Sequence, residues 1–134
     1  MPSDFNLVMT DNTILRLQPN DRGNSGVLMA AREVSNVTVT GGVLYGDRDK
    51  HIYNNAGEDG QLLFQIHGSN NIVLDGIKMT MGSAGGLNIN SLNFTFQPNY
   101  IPSFNIIVKN CVFDNNRRMS TSITDGHDII LENN

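Results

Sequence analysis

The sequence predicts an all-β fold, a right-handed parallel β-helix of about four to five coils with three short strands per coil. Two observations indicate this fold. Four segments of the chain repeat one another, and turns rich in Asn and Gly separate short runs of β-branched residues. No window places apolar residues at positions i, i+3, i+4 and i+7, which is the spacing of a helix with one buried face.

The repeated segments predict the first strand of each coil. Each segment opens on a polar residue and then alternates apolar and polar side chains, as a strand with one buried face does. The segments start at Asn36, Asn71, Asn105 and Asp128. The first two intervals between starts are longer than the third, which predicts inserted loops. The alternation predicts eight inward side chains in equivalent pairs: Val37 and Val39, Ile72 and Leu74, Ile106 and Val108, and Ile129 and Leu131.

A tight corner and a second short strand should follow each first strand. The residues at the corner are Gly41 or Gly42, Gly76, Asn110 and Asn133. Glycine lacks the Cβ that clashes at positive φ, and asparagine tolerates that region better than most residues. The inward side chains predicted for the second strands are Val43 and Tyr45, Ile77 and Met79, and Cys111 and Phe113. Cys111 should lie under Ile77 as a core residue rather than a reactive thiol.

A third apolar run precedes each repeated segment. These runs cover residues 27–30, 62–66, 86–89 and 120–123, and residues 5–20 form an earlier, less regular coil. Because one coil cannot bury its own apolar face, the coils are expected to stack with parallel strands.

Composition excludes several classes of protein. Only 16% of the 134 residues are charged and the net charge is −4, which argues against a nucleic-acid partner. No apolar run approaches the roughly 20 residues of a membrane span. A single cysteine excludes an internal disulfide framework. We expect residues 1–134 to form one β-helix domain, either as a fragment of a longer solenoid or with its ends covered in a homo-oligomer.

Three segments carry a resemblance to a known superfamily: SNVTVTGGVLYGDRDKH, GSNNIVLDGIKM and NIIVKNCVFDNNRRMSTSI. They resemble the pectate-lyase-like right-handed β-helix proteins, which include polygalacturonases, pectate lyases, mannuronan epimerases and phage tailspikes. The resemblance covers roughly residues 5–134. It implies the fold and a polysaccharide ligand, but not one reaction, because this architecture carries lyases, hydrolases, epimerases and structural spikes.

The third strands predict a polar surface. With Ile66, Ile89 and Ile123 facing inward, the outward rows are Gln65, Asn88 and Ser122, and then His67, Asn90 and Thr124. Their hydrogen-bonding groups suit sugar hydroxyls. The alternative is a polar ladder that only keeps the sheet soluble. His67 is a candidate catalytic base, since its ordinary pKa is near neutral, or else a simple surface residue.

The densest cluster of charges is the segment GDRDKH after the second strand. It supplies Asp47 and Asp49 as candidate catalytic residues and Arg48 and His51 as candidate substrate-binding residues. Arg117 and Arg118 follow the second strand two coils later and should lie on the same side. Arginines there would hold sugar carboxylates bidentately. The alternative is a stack of salt-bridged loops.

Other features bear on the reaction. In many members of the resembled superfamily an acidic residue precedes the third strand, but here the position holds Gly85, which argues against a polygalacturonase-type hydrolase. Asp47, Asp49, Glu58 and Asp59 are candidate Ca²⁺ ligands, although their spacing differs from an EF-hand loop. No other metal or cofactor is predicted. Aromatic residues in the insertion 92–104, among them Phe94 and Phe96, are expected to pack the loop against the solenoid; the alternative is that they stack on sugar rings.

Two functions remain open. The first is a carbohydrate-binding or carbohydrate-processing β-helix that acts on an acidic polysaccharide as a lyase, hydrolase or epimerase. The second is a non-catalytic structural or adhesion module of a phage tail or cell-surface protein. Both predict an extracellular or virion-associated location, although no signal peptide is visible in the sequence.

Overall fold

The computed structural model describes residues 1–23, 26–54 and 60–134. In these ranges the regular structure is entirely β, and none of it is a helix long and apolar enough to cross a membrane. The strands are β1 (Phe5–Val8), β2 (Ile14–Arg16), β3 (Val27–Arg32), β4 (Ser35–Thr40), β5 (Val43–Tyr45), β6 (Leu62–His67), β7 (Asn70–Asp75), β8 (Lys78–Thr80), β9 (Gly85–Asn90), β10 (Phe104–Lys109), β11 (Val112–Asp114), β12 (Met119–Ile123) and β13 (His127–Glu132).

The strands form three parallel sheets, because every third strand along the chain pairs with the next. The first sheet has the order β1-β4-β7-β10-β13, the second β2-β5-β8-β11 and the third β3-β6-β9-β12. The described part of the chain therefore builds four coils of three strands and begins a fifth with β13. The predicted all-β fold, a parallel β-helix of about four to five coils, is confirmed.

The core lies between the three sheets and consists of side chains in register from coil to coil. Val37, Ile72 and Ile106 stack in the first sheet and are fully buried. The next inward position repeats the pattern through Leu74, and β13 continues both rows. A fully buried aliphatic side chain contributes about 1.5–3 kcal/mol, so the rows dominate the stability of the solenoid. The predicted inward positions of the first sheet are confirmed, although Leu131 on β13 is 45% exposed.

The predicted corners have the backbone conformation that their residue types allow. The φ angles are +70° at Gly41, +68° at Gly76, and +54° at both Asn110 and Asn133. A Cβ on Gly41 would lie 2.3 Å from the main-chain oxygen of Met9, so no larger residue fits there without a backbone shift.

The polar residues that open the first strands form a ladder that sequence reasoning did not foresee. Asn36, Asn71 and Asn105 all have positive φ angles. The side-chain amide of Asn71 donates to Oδ1 of Asn36 at 2.9 Å, and that of Asn105 donates to Oδ1 of Asn71 at 2.7 Å. The ladder links three coils at one corner and explains why the same amide recurs at each start.

The prediction for the second strand of the second coil was wrong by one residue. Leu44, rather than Val43 and Tyr45, faces the core, in register with Met79. The cause is the Gly-Gly corner: Val43 pairs with Lys78, and the carbonyl of Gly42 accepts the Lys78 N–H, so Gly42 rather than Val43 takes the position equivalent to Ile77. Tyr45 faces outward instead, and its ring packs under a neighbouring guanidinium.

The single cysteine behaves as predicted. Cys111 is buried in the core cluster, and the next residue along the chain, Val112, donates its N–H to the carbonyl of Ile77. Burial raises the pKa of the Cys111 thiol, which keeps it protonated and unreactive.

Candidate functional site

The outward face of the third sheet carries the predicted polar rows. Ile66 and Ile89 are paired and buried, so their neighbours on either side point outward. Gln65 pairs with Asn88, and Asn88 pairs with the next member of the row on β12. His67 likewise pairs with Asn90 in the second row. The predicted register of this sheet is confirmed.

Four of the residues predicted to bind substrate converge on one groove of about 330 Å³ at the third and fourth coils: Asn88, Arg118, Ser122 and Thr124. The amide of Asn88 donates to Oγ of Ser122 at 2.9 Å and to Oγ1 of Thr124 at 3.2 Å. Because both hydroxyls accept from this amide, each keeps its own O–H to donate outward. The groove thus presents oriented hydroxyl donors beside a guanidinium.

The remaining members of the polar rows lie outside the lining of this groove. Gln65 is flanked by Ala30 and Asn88 on the sheet. Oδ1 of Asn90 accepts the N–H of Ser91 at 2.9 Å, so this side chain fixes the start of the following loop.

His67 has a pKa below its ordinary value. Desolvation lowers its pKa, and the Arg32 guanidinium on the neighbouring coil lowers it further. Its buried Nδ1 has no hydrogen-bond partner among the described residues. A neutral imidazole could accept a proton, yet the candidate carboxylates of the GDRDKH loop lie at the other end of β6. That strand rises roughly 16 Å from Leu62 to His67 at ~3.3 Å per residue, so Asp47, Asp49 and His67 do not form one catalytic cluster.

The lowered pKa of His67 predicts a pH dependence of stability. Above the unfolded-state pKa of about 6.5, the histidine is neutral in both the folded and the unfolded state, so its titration does not lower the free energy of unfolding. As the pH falls below that value, the unfolded chain takes up the proton first, and stability is lost until the pH passes the lower folded-state pKa. Urea unfolding between roughly pH 7 and pH 5 should therefore show a shallower loss for His67→Gln than for the wild type. His127→Gln, on an exposed side chain, is the control, and equal slopes for the wild type and His67→Gln would contradict the prediction.

The GDRDKH loop differs from the solvated turn that its charges suggest. Asp47 and His51 are both buried, and Oδ2 of Asp47 lies 2.8 Å from Nδ1 of His51. The loop forms a single turn there, in which His51 N–H donates to the carbonyl of Asp47. Asn20 of the first coil donates to the same carboxylate oxygen from its backbone N–H at 3.3 Å and from its amide at 3.2 Å. These contacts make the pair part of the fold between two coils.

The predicted calcium ligands are only partly accounted for. Glu58 and Asp59 lie outside the described residues. Among those described, no three His, Cys, Asp or Glu side chains converge as a metal site. Oδ1 of Asp47 has no hydrogen-bond partner within the same ranges.

Among the described contacts, those of Arg48 and Tyr53 hold the loop against the fourth coil. Nη1 of Arg48 donates to the carbonyl of Asn115 at 2.8 Å. The Arg117 guanidinium lies 4.0 Å from the ring centroid of Tyr53, whose hydroxyl donates to the carbonyl of Arg48 at 2.8 Å. Asp49 points to solvent with its side chain 72% exposed.

Gly85 begins β9 at the edge of the groove. A Cβ at this position would lie 2.9 Å from Cγ and 3.0 Å from the carbonyl oxygen of Met119. An acidic side chain would therefore need a shift of Met119.

Comparison with known proteins supports the resemblance at the level of the fold. No family model matches the chain. The uncharacterized protein YclG of Bacillus subtilis (strain 168) is 28% identical over 129 residues, which cover 92% of this chain and 22% of that protein. The chain thus spans about a fifth of its curated relative. The crystal structure of a "putative glycosyl hydrolase" from Parabacteroides merdae ATCC 43184 superposes with a TM-score of 0.59 at 11% identity, covering 98% of this chain and 74% of the other.

Proposed function

We propose that the chain binds an acidic polysaccharide in the groove of the third sheet. The observation that carries the proposal is the convergence of Asn88, Ser122, Thr124 and Arg118 on one concave surface. The similarity to the fold of the Parabacteroides protein supports a carbohydrate ligand. Such a ligand lies outside the cell or on a surface, so we propose the same location for this chain.

The groove offers groups that can bind both the hydroxyls and the carboxylate of an acidic sugar. The hydroxyls of Ser122 and Thr124, oriented by Asn88, can donate to sugar oxygens. The guanidinium of Arg118 supplies the planar fork that pairs with a uronate carboxylate.

Binding is better supported than cleavage for the described part of the chain. Glycosidases need two carboxyl groups across the scissile bond, about 5–9.5 Å apart. Among the described residues, those that line the groove include no aspartate or glutamate. Asp47, the predicted catalytic carboxylate nearest to the loop stack, is engaged in the buried pair with His51.

Alanine substitution in the groove should weaken binding to polygalacturonate or alginate oligosaccharides measured by titration calorimetry. Asn88→Ala should raise Kd about five- to tenfold, because it releases the two hydroxyls that it orients. Arg118→Ala should weaken binding of uronate oligomers more than that of neutral ones of equal length. Asn6→Ala, on the exposed face of the first sheet, is the matched control.

Two outcomes would overturn the proposal. Equal affinities for Asn88→Ala and Asn6→Ala would move the binding site away from the groove. No binding by the wild-type chain to any oligosaccharide would favour the structural or adhesion module. Release of unsaturated uronates or new reducing ends by the wild type would instead show that the chain cleaves its ligand.

A further inference from the structure

The insertion between β9 and β10 exposes a pair of aromatic rings, contrary to the packing expected from the sequence. Phe94 and Phe96 are 60% and 83% exposed. Their ring centroids lie 5.6 Å apart and their planes differ by only 6°. Exposing two parallel phenyl rings to water is unfavourable in free energy, and such exposed apolar surface often marks a binding site.

The loop that carries the rings is ordered by its own hydrogen bonds. Leu92 and Ile101 form an antiparallel bridge with N···O distances of 2.8 and 3.0 Å. The N–H of Phe94 donates to Oε1 of Gln97 at 3.0 Å, and the N–H of Gln97 donates back to the carbonyl of Phe94 at 2.8 Å. The rings are therefore held outward by a defined turn, and little ordering remains to be done when a ligand binds.

The loop follows β9, the strand that carries Asn88 of the groove. It leaves the third sheet directly after Asn90 and is tied at its far side to the fourth coil. There Tyr100 lies near the Asp125 carboxylate, and desolvation together with this neighbouring carboxylate raises the pKa of Tyr100. Asp125 follows Thr124, which lines the groove. A chain-like ligand that fills the groove would have to extend past the end of β9 to contact the aromatic pair.

The size of the exposed surface favours a sugar over a protein. At a typical 150–250 Å² per aromatic side chain, the two rings expose roughly 300 Å² together. A stable protein interface buries about 800 Å² on each partner. Nδ2 of Asn93 donates to the carbonyl of Asn99 at 2.9 Å and Oε1 of Gln97 accepts from Phe94 N–H, and the other polar atom of each of these two amides suits hydroxyls around a stacked sugar ring.

We infer that Phe94 and Phe96 form a second subsite, on which the apolar C–H face of a sugar ring stacks while a neighbouring part of the same polysaccharide lies in the groove. The inference rests on the proposed function. It assigns the aromatic pair to a ligand longer than the groove alone can hold, so the gain in affinity with chain length depends on these two residues.

The test compares oligogalacturonides of two to eight residues by titration calorimetry on the wild-type chain, Phe96→Ala, the double variant Phe94→Ala/Phe96→Ala and the conservative Phe96→Tyr. For the longer oligomers, Phe96→Ala should raise Kd about three- to tenfold. Phe96→Ala should leave the Kd for the disaccharide unchanged, and Phe96→Tyr should retain wild-type affinity for all oligomers. Circular dichroism and urea unfolding should be unaffected by both substitutions, since the rings are exposed.

Three results would overturn the inference, and they separate it from the proposed function. Binding that needs Asn88 but is unaffected by the double variant would leave the groove as the site and remove the aromatic subsite. Self-association of the wild-type chain that the double variant abolishes in sedimentation experiments would make the rings a contact between copies. Absence of binding by the wild type to every oligomer would overturn the proposed function and the subsite together.

Discussion

Replacing Phe64 with alanine is expected to lower the free energy of unfolding by about 3–5 kcal/mol. Phe64 is among the largest fully buried side chains of the structure, in register with Met29 on one side and Leu87 on the other. The backbone around it is fixed by ladder hydrogen bonds to both neighbouring coils, so the cavity left by the ring cannot collapse. A domain is stable by only about 5–15 kcal/mol, so this loss is a large fraction of the total.

The chain supplies a matched control for that substitution. Phe96→Ala removes the same atoms from an exposed site and should change the unfolding free energy by less than about 0.5 kcal/mol. Phe64→Leu keeps most of the apolar volume, so its loss of unfolding free energy should lie between those of Phe64→Ala and Phe96→Ala. It remains measurable if Phe64→Ala does not fold. Urea unfolding followed by circular dichroism gives all three values. A Phe64→Leu variant as stable as the wild type would contradict the assigned packing.

The core could be predicted from sequence because each coil has the same alternation of inward and outward side chains. Ile72 and Ile106 occupy equivalent positions in repeated segments, so one alternation pattern fixes both. The single error in the second strands, at Leu44, arose where two consecutive glycines left the corner ambiguous. Local pattern could not decide whether Val43 or Leu44 faces inward after the two glycines, whereas pairing with Lys78 and Met79 of the next coil does.

The residues of the candidate site likewise differ in whether their positions could be predicted from sequence. Asn88 and Ser122 could be placed in one row from sequence, since sheet register carries from coil to coil. The burial of Asp47 could not be predicted, because it depends on Asn20, which is 27 residues away in a segment without a repeat. The exposure of Phe96 was missed for a similar reason: apolar composition predicts packing, but the turn closed by Gln97 holds the ring outward.

The buried pair in the GDRDKH loop leads to the second large expected effect. Asp47→Ala should destabilise the chain by about 3–5 kcal/mol, because it removes the acceptor of one buried and two half-buried donors. Those donors are Nδ1 of His51, when this nitrogen carries the proton, and the backbone and amide N–H groups of Asn20. Asp47→Asn keeps one carbonyl oxygen as an acceptor and should lower the free energy of unfolding by less. It can therefore be measured if the alanine variant does not fold.

Asp49→Ala is the matched control, two residues away and exposed, and it should cost less than about 0.5 kcal/mol. The pair also joins the loop to the first coil, so its loss should open a local region as well as lower global stability. Limited proteolysis of Asp47→Asn should then cut within residues 46–54 faster than in the wild type, while Asp49→Ala retains wild-type resistance. A double-mutant cycle with His51→Leu measures the coupling within the pair. If Asp47 and Asp49 variants were equally stable and the cycle gave no coupling, the loop would be held by the contacts of Arg48 and Tyr53 alone, and the buried pair would have no structural role.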